Sequence, residues 1–364
     1  MIDAANFIEC LKSENKLVRE SALTRMKLLS VSDRNELVDF VKPQGGMAYL
    51  SKLIMPDRPA PAPLFSTREK QSPEEEIERQ RQVAREFIGQ QHPYPNTFSG
   101  RGIVCSAGGP KYIPCVWVNV NMLRLHKCKL PIQIWHFGPR EMPQQIKELF
   151  RDLGVTFVDT DEIAKVHPMG NLRGWESKPF SIIHSPFKEV LYLDADNVPV
   201  RDPSYLFDCK EFASTGAMFW PDFGRLETDR AIWRICEVQY RDEPEWESGQ
   251  ILVNKEKCWK ALLLARLYNE RSPFYYRHVH GDKETYHMAF RRLEQPCFVA
   301  PPMKGIDSTM VQHDPEGKVI FQHRNFDKWN LDGNKRVSGF VNESECLGFI
   351  SQLKNLLIEK KITL

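Results

Sequence analysis

Val190-Leu191-Tyr192-Leu193-Asp194-Ala195-Asp196-Asn197-Val198-Pro199-Val200 runs four apolar residues straight into two carboxylates separated by one small residue. An apolar run that is continuous, not alternating, predicts a strand buried on both faces. Pro199 removes a ladder donor, so regular pairing loosens by that point. Asp194 and Asp196 are therefore expected at the C-terminal end of a buried strand. In open α/β sheets that end faces the ligand crevice. Two carboxylates beside an apolar core suit a hard divalent cation. Mg²⁺ or Mn²⁺ takes one or two carboxylates and leaves its other positions to substrate phosphates. Ala195 leaves room for a phosphate. Asp-x-Asp alone can equally cap a turn and meet solvent; the strand before it and Asn-Val-Pro-Val after it favour the metal.

The 364 residues suggest two domains, or one large domain with an appendage. A hydrophobic content of 41% with 8 Trp is enough for a sizeable core, and a net charge of +2 points to no nucleic-acid partner. No apolar run is long enough for a transmembrane segment, and the first residues lack the basic-then-apolar pattern of a signal peptide. The 9 cysteines are scattered without a Cys-x-x-Cys pair, which fits reduced thiols in a cytoplasmic protein and argues against zinc.

Residues 1–55 read as a helical module, with Phe7, Ile8, Leu11, Leu17, Leu23, Met26 and Leu28 at helix-like spacing. Residues 56–99 read as a Pro-rich linker followed by a charged helix that starts at Ser72-Pro73 and ends near Gly89. From residue 100 the pattern alternates. Gly102 to Cys105 is a strand that breaks into the small loop Ser106-Ala107-Gly108-Gly109, where backbone can approach a nucleotide. Tyr112–His126 is a helix, Pro131–Phe137 a strand, Glu141–Leu153 a helix and Val155–Val158 a strand. That order predicts parallel pairing. Ala213–Trp220 and 246–254 are further expected strands, Cys258–Tyr268 an amphipathic helix, and 341–364 a C-terminal helix.

Several polar residues stand at the mouths of these elements. Lys178 can meet donor phosphates as a point charge, or be a surface lysine. Glu247 and Gln250 flank Gly249 at the start of an apolar strand, a place for acceptor or donor contacts. Asp282 stands at a helix N-terminus, as a cap or as a carboxylate aimed at the site. His323 ends the strand Val319–Phe321, either as a structural residue or as a third ligand to Mn²⁺, and Lys328 follows five residues on.

Taken together, the chain resembles nucleotide-sugar glycosyltransferases of the GT-A type, and in particular the fungal Mnn-type α-mannosyltransferases and their bacterial relatives. The likeness lies in Gly100–Gly109, Trp175-Glu176-Ser177-Lys178-Pro179-Phe180, the Asp-x-Asp segment, Glu247-Ser248-Gly249-Gln250 and Gly281-Asp282-Lys283-Glu284-Thr285. It covers about residues 100–330. A looser likeness is to the retaining transferases related to glycogenin. There a late His joins Asp-x-Asp on Mn²⁺ and precedes Lys-Pro-Trp; here Lys328-Trp329 lacks the Pro. Asp282-Lys283-Glu284 stands where they have Asp-Gln-Asp, with Lys in place of Gln.

The resemblance implies an α/β fold: a GT-A-like, Rossmann-type mixed sheet flanked by helices over residues 100–340, with the N-terminal helical module apart from it. It implies hexosyl transfer, with retention of configuration expected, from GDP-mannose or, next, a UDP-hexose to a glycan, protein or small-molecule acceptor. Asp194, Asp196 and His323 would hold Mn²⁺ (or Mg²⁺). Ser106, Ala107, Gly108, Lys178, Asp194 and Lys328 would bind the donor, and Asp282, Glu247 and Gln250 would serve the reacting groups. The alternative is a catalytically silent sugar-nucleotide-binding or scaffold protein acting through its helical N-terminus.

Overall fold

The computed structural model describes residues 4–12, 73–307 and 309–364. The chain divides into two compact units, Met1–Gln71 and Ser72–Leu364. Of the first, helix α1 (Ala4–Lys12) is described. The remainder of the expected helical module and the expected linker over 56–72 lie outside the described residues.

The second unit opens with α2 (Pro73–Gly89), whose first turn carries Glu74, Glu75 and Glu76 at the positive end of the helix dipole. It is not fully solvated: Ile77, Gln80 and Ala84 are buried, and Glu74 and Glu76 pair with Arg234 and Arg277. Then come β1 (Arg101–Ser106), α3 (Gly109–Leu125), β2 (Ile132–His136), β3 (Val155–Asp159), α4 (Ser177–His184), β4 (Glu189–Leu193) and β5 (Asn197–Pro199). They are followed by β6 (Ala217–Arg225), β7 (Pro244–Asn254), α5 (Lys255–Glu270), α6 (Lys283–Arg292), β8 (Phe298–Val299), β9 (Lys304–Ile306), β10 (Thr309–His313), β11 (Val319–His323) and α7 (Glu343–Glu359).

Seven strands form one sheet in the order β3-β2-β1-β4-β7-β6-β8. The expected parallel pairing holds from β3 through β4. Beyond it the sheet is mixed, because β7 runs antiparallel to both β4 and β6. Burial follows the reading of the apolar run. Leu191 and Leu193 face one core with α3 and α7, while Val190 and Tyr192 face the other with α4, α5 and α6. The central strand thus has no solvent face.

Two expected elements differ. The helix expected over Glu141–Leu153 is broken into Gly138–Glu141, Gln144–Leu149 and a 3₁₀ turn, since Pro143 cannot continue a helix. The strand expected from Ala213 starts at Ala217; a short helix, Lys210–Thr215, precedes it and ends at Gly216 in the left-handed region.

A second, antiparallel sheet has the order β5-β11-β10-β9. The chain leaves the large sheet at the end of β4 and enters the small one three residues later, so Asp194 and Asp196 span the junction. Register then places His323 opposite Asn197. Leu191 is fully buried at the centre of this arrangement. Leu191→Ala is expected to cost about 2–5 kcal/mol, read as a lower urea midpoint of the full chain by tryptophan fluorescence.

Candidate active site

The Asp-x-Asp turn is held by its own backbone from three directions. From β7, the Gly249 carbonyl accepts from the Asp194 N–H at 2.8 Å and from Asn197 Nδ2 at 3.0 Å. From α3, Asn119 Nδ2 donates to the carbonyls of Asp194 at 3.2 Å and Asn197 at 2.6 Å. After β11, the Arg324 N–H donates to the Asp196 carbonyl at 3.1 Å. The turn is therefore fixed without using either carboxylate, which leaves both for chemistry.

The side chains form a line of alternating charge. Lys328 Nζ donates to Asp196 Oδ2 and to the Asn325 carbonyl, the latter at 3.0 Å. Asp196 Oδ1 lies 3.3 Å from His323 Nε2, and Asp194 Oδ2 lies 4.0 Å from the same nitrogen. On the other edge of the ring, Nδ1 is 3.5 Å from Glu247 Oε1. Lys178 Nζ donates to Asp194 Oδ2 at 2.9 Å and to Ser248 Oγ at 3.1 Å, and lies 3.6 Å from Asp282 Oδ2. Asp194, Glu247 and His323 bring one ligand atom each to within 4.8 Å of one another. Glu247 thus joins the group expected from Asp194, Asp196 and His323, while Asp196 divides its oxygens between His323 and Lys328.

Gly249 is where the imidazole must pass. A Cβ there would stand 2.5 Å from His323 Nδ1 and 2.9 Å from Glu247 Oε1. The glycine expected to admit substrate instead admits His323, and its N–H donates to Glu247 at 2.8 Å.

The donor-binding candidates gather at one end. Ser106 ends β1, the Ala107 N–H donates to the Trp135 carbonyl at 2.9 Å, and Gly108 leads into α3. Lys328 Nζ sits 5.7 Å from the ring centroid of Tyr112 in the first turn of that helix, which joins the loop to the charged line. Gln250 is fully buried, and its Oε1 accepts from Asn197 Nδ2 at 2.5 Å, so it braces the turn. Asp282 precedes α6 without capping it; its carboxylate faces Lys178. Lys283 pairs with Asp222 and with Glu245, the latter at 2.6 Å, and not with the Asp194 group.

Three contributors were not singled out from sequence. Asn119 stands in Val118-Asn119-Val120, where a buried amide inside an apolar helix must find partners, and that was the available signal. Ser248 anchors Lys178. Arg324, fully buried, donates to the carbonyls of Asp327 at 2.6 Å and Lys335 at 3.0 Å and stacks on Trp329, fixing the loop that presents Lys328.

Burial disfavours charge on every group here, and the pairing decides which stay charged. It works against the charged imidazole of His323, but Asp196 and Glu247 outweigh it and raise the pKa to about 10. It would raise Glu247, yet His323 and Lys178 bring it down to about 2. Burial would also raise Asp196, and His323 and Lys328 hold it below the usual carboxylate range. Only for Asp282 does burial win: opposed by Lys178 and helped by Asp194, it pushes the carboxyl up to about 6.

Carboxylates, an imidazole and two lysines thus meet at one edge of the parallel-rich sheet of an α/β protein. The chain belongs to the family described as "Mannosyltransferase putative", which matches residues 100–245 and 239–323. It is 28% identical over 257 residues to alpha-1,2-mannosyltransferase MNN24 of Candida albicans, covering 56% of this chain and 35% of that protein. It is 25% identical over 290 residues to alpha-1,2-mannosyltransferase MNN5 of Saccharomyces cerevisiae, covering 62% and 49%. The chain therefore spans half or less of the length of these relatives. Among solved structures it is similar to the glycosyltransferase GlyE of Streptococcus pneumoniae (15% identity, TM-score 0.45, covering 72% of this chain and 64% of that one). It is also similar to the galactosyltransferase LgtC with donor and acceptor sugar analogues (15%, TM-score 0.41, covering 55% and 73%).

Gly249→Ala is expected to leave the circular dichroism spectrum intact but to weaken divalent-cation binding, probed with Mn²⁺ by titration calorimetry, about tenfold, or about 1.4 kcal/mol. Asp282 generates a pH signature. Its folded pKa lies above the unfolded value, so its contribution to stability is full below pH of about 4 and is lost as pH rises through about 6. Asp282→Asn should raise the melting temperature at pH 7.5, and the gain should vanish near pH of about 4.

Proposed function

We propose that this chain is a metal-dependent glycosyltransferase that moves mannose from GDP-mannose to an acceptor hydroxyl with retention of configuration. One observation carries the reading: Asp194, Glu247 and His323 bring ligand atoms within 4.8 Å, beside Asp196 and between Lys178 and Lys328, in a chain of the mannosyltransferase family. The relatives named as mannosyltransferases favour mannose over other hexoses.

The donor set fits a hard or borderline cation such as Mn²⁺ or Mg²⁺, since it offers carboxylate oxygens and imidazole without thiolate. Asp194, Asp196 and His323 Nε2 would hold it. Glu247, whose Oε1 lies 3.5 Å from Nδ1, would bring a further carboxylate to the same group and hold the ring in place. Once bound, the ion supplies a Lewis acid at the sugar-nucleotide diphosphate.

The remaining work falls to the chain's own groups. Lys328 and Lys178 flank the carboxylates and offset charge that develops on the departing nucleotide. The Ser106–Gly108 loop and the first turn of α3 offer backbone to the phosphates. Asp282, with its pKa near the working range, exchanges hydrogen bonds with a sugar or acceptor hydroxyl. Glu247 and Gln250 act as positioning residues for His323 and for the Asp-x-Asp turn. In same-face transfer the acceptor oxygen bonds to the anomeric carbon as the phosphate oxygen departs, and that oxygen takes the hydroxyl proton, so no protein nucleophile is required.

The test is a thermal-shift series with GDP-mannose, UDP-glucose, UDP-galactose and UDP-N-acetylglucosamine, each with and without Mn²⁺. A Mn²⁺-dependent rise with GDP-mannose is expected for the natural sequence and should be lost in a folded Asp196→Ala variant. Unchanged donor binding and turnover in that variant would overturn the assignment.

A further inference from the structure

We infer that Trp175 is a stacking platform for the acceptor's pyranose ring, at the end of the site opposite the donor's nucleotide. The inference rests on the proposed glycosyl transfer and adds the acceptor subsite.

Trp175 is 56% exposed, yet its indole is packed at a fixed place and not left free in solvent. Its place is built. Gly281 carries φ +127°, in the region that favours glycine, and a Cβ there would stand 2.9 Å from the indole ring. Tyr276 lies beside it, with ring centroids 6.1 Å apart. The indole is thus seated on one side and open on the other.

Two neighbours place Trp175 beside the charged cluster. Trp175 lies one helical turn before Lys178, whose N–H donates to the Trp175 carbonyl at 3.0 Å. Asp282 directly follows the glycine under the ring. Its Oδ2 is buried, has an ionic neighbour in Lys178, and has no hydrogen-bond partner. Such an oxygen wants a hydroxyl.

The line of charge gives the site a direction. Lys328, the Asp-x-Asp turn and the first turn of α3 occupy one end and suit a diphosphate. Asp282 and Trp175 occupy the other, with Lys178 between Asp194 and Asp282. A pyranose has an apolar C–H face and a rim of hydroxyls, so an exposed indole beside an unsatisfied carboxylate matches its two sides. The ligand class is therefore a pyranoside, bound with its C–H face on Trp175 and one hydroxyl toward Asp282, and the probe is the α-mannoside of the sugar that the proposed reaction transfers.

The experiment is saturation-transfer NMR of methyl α-D-mannopyranoside with the full chain, GDP and Mg²⁺. Ring protons of one face should receive saturation in the natural protein. That signal should disappear in Trp175→Ala and persist in Trp175→Phe, which keeps a smaller aromatic face. The thermal shift with GDP-mannose and Mn²⁺ should be the same in all three proteins, and with an active acceptor the KM for acceptor should rise about tenfold in Trp175→Ala while the KM for donor holds. No saturation transfer from the natural protein to the sugar, or an equal signal with Trp175→Ala, would overturn the platform. Loss of the donor shift in the natural protein itself would instead overturn the transferase reading.

Discussion

The contact between Lys178 and Asp194, at 2.9 Å and largely withdrawn from water, is the interaction on which this site depends. Asp194, Asp196, Glu247 and Asp282 converge near the end of one buried strand, and like charges at such spacing repel strongly in a low dielectric. Lys178 offsets Asp194 and Asp282; Lys328 and His323 offset Asp196; His323 also faces Glu247. Each cation touches two or more partners, so the cluster stands as one network and not as separate pairs. Removing a cation from such a network typically costs about 3–5 kcal/mol, because the carboxylates left behind have no water to turn to.

The frame around the cluster is made of neutral hydrogen bonds. Asn119, the Gly249 carbonyl and the Arg324 N–H hold the backbone of residues 194–197, and Gln250 holds Asn197. The carboxylates are thus presented without being spent on structure, which is what a preorganised site requires. At its other end, α4 is steadied by Lys255. Its buried Nζ, with a pKa that burial pulls down to about 6, donates to the carbonyls of Ile183 at 3.1 Å and Ser185 at 2.7 Å at the helix C-terminus and lies over the Phe98 ring. A helix held so firmly at its end keeps Lys178 in place at its start.

The site exists because two sheets meet. The chain leaves the large sheet after Leu193 and pairs with β11 in the small one from Asn197. That crossing brings His323 and the Lys328 loop, more than a hundred residues later in the chain, against Asp194 and Asp196. Gly249 lets β7 pass close beneath the imidazole.

The buried central strand, the carboxylates at its end and the parallel half of the sheet are legible in the sequence alone, which also marks Lys178, His323 and Lys328 as candidates. These are legible because an unbroken apolar run ending in charge, or a lysine and a histidine at strand mouths, is a local pattern. The tertiary structure alone decided that Gly249 serves His323, that Glu247 faces the ring's Nδ1 and joins the ligand group, that Gln250 braces a turn, and that Lys283 pairs with Asp222 and Glu245. It also decided where the helix expected over 141–153 breaks and where the strand before Trp220 begins. Each of these depends on which residues distant in the chain become neighbours, and one-dimensional spacing carries no record of an antiparallel β7 or of a second sheet laid against the first.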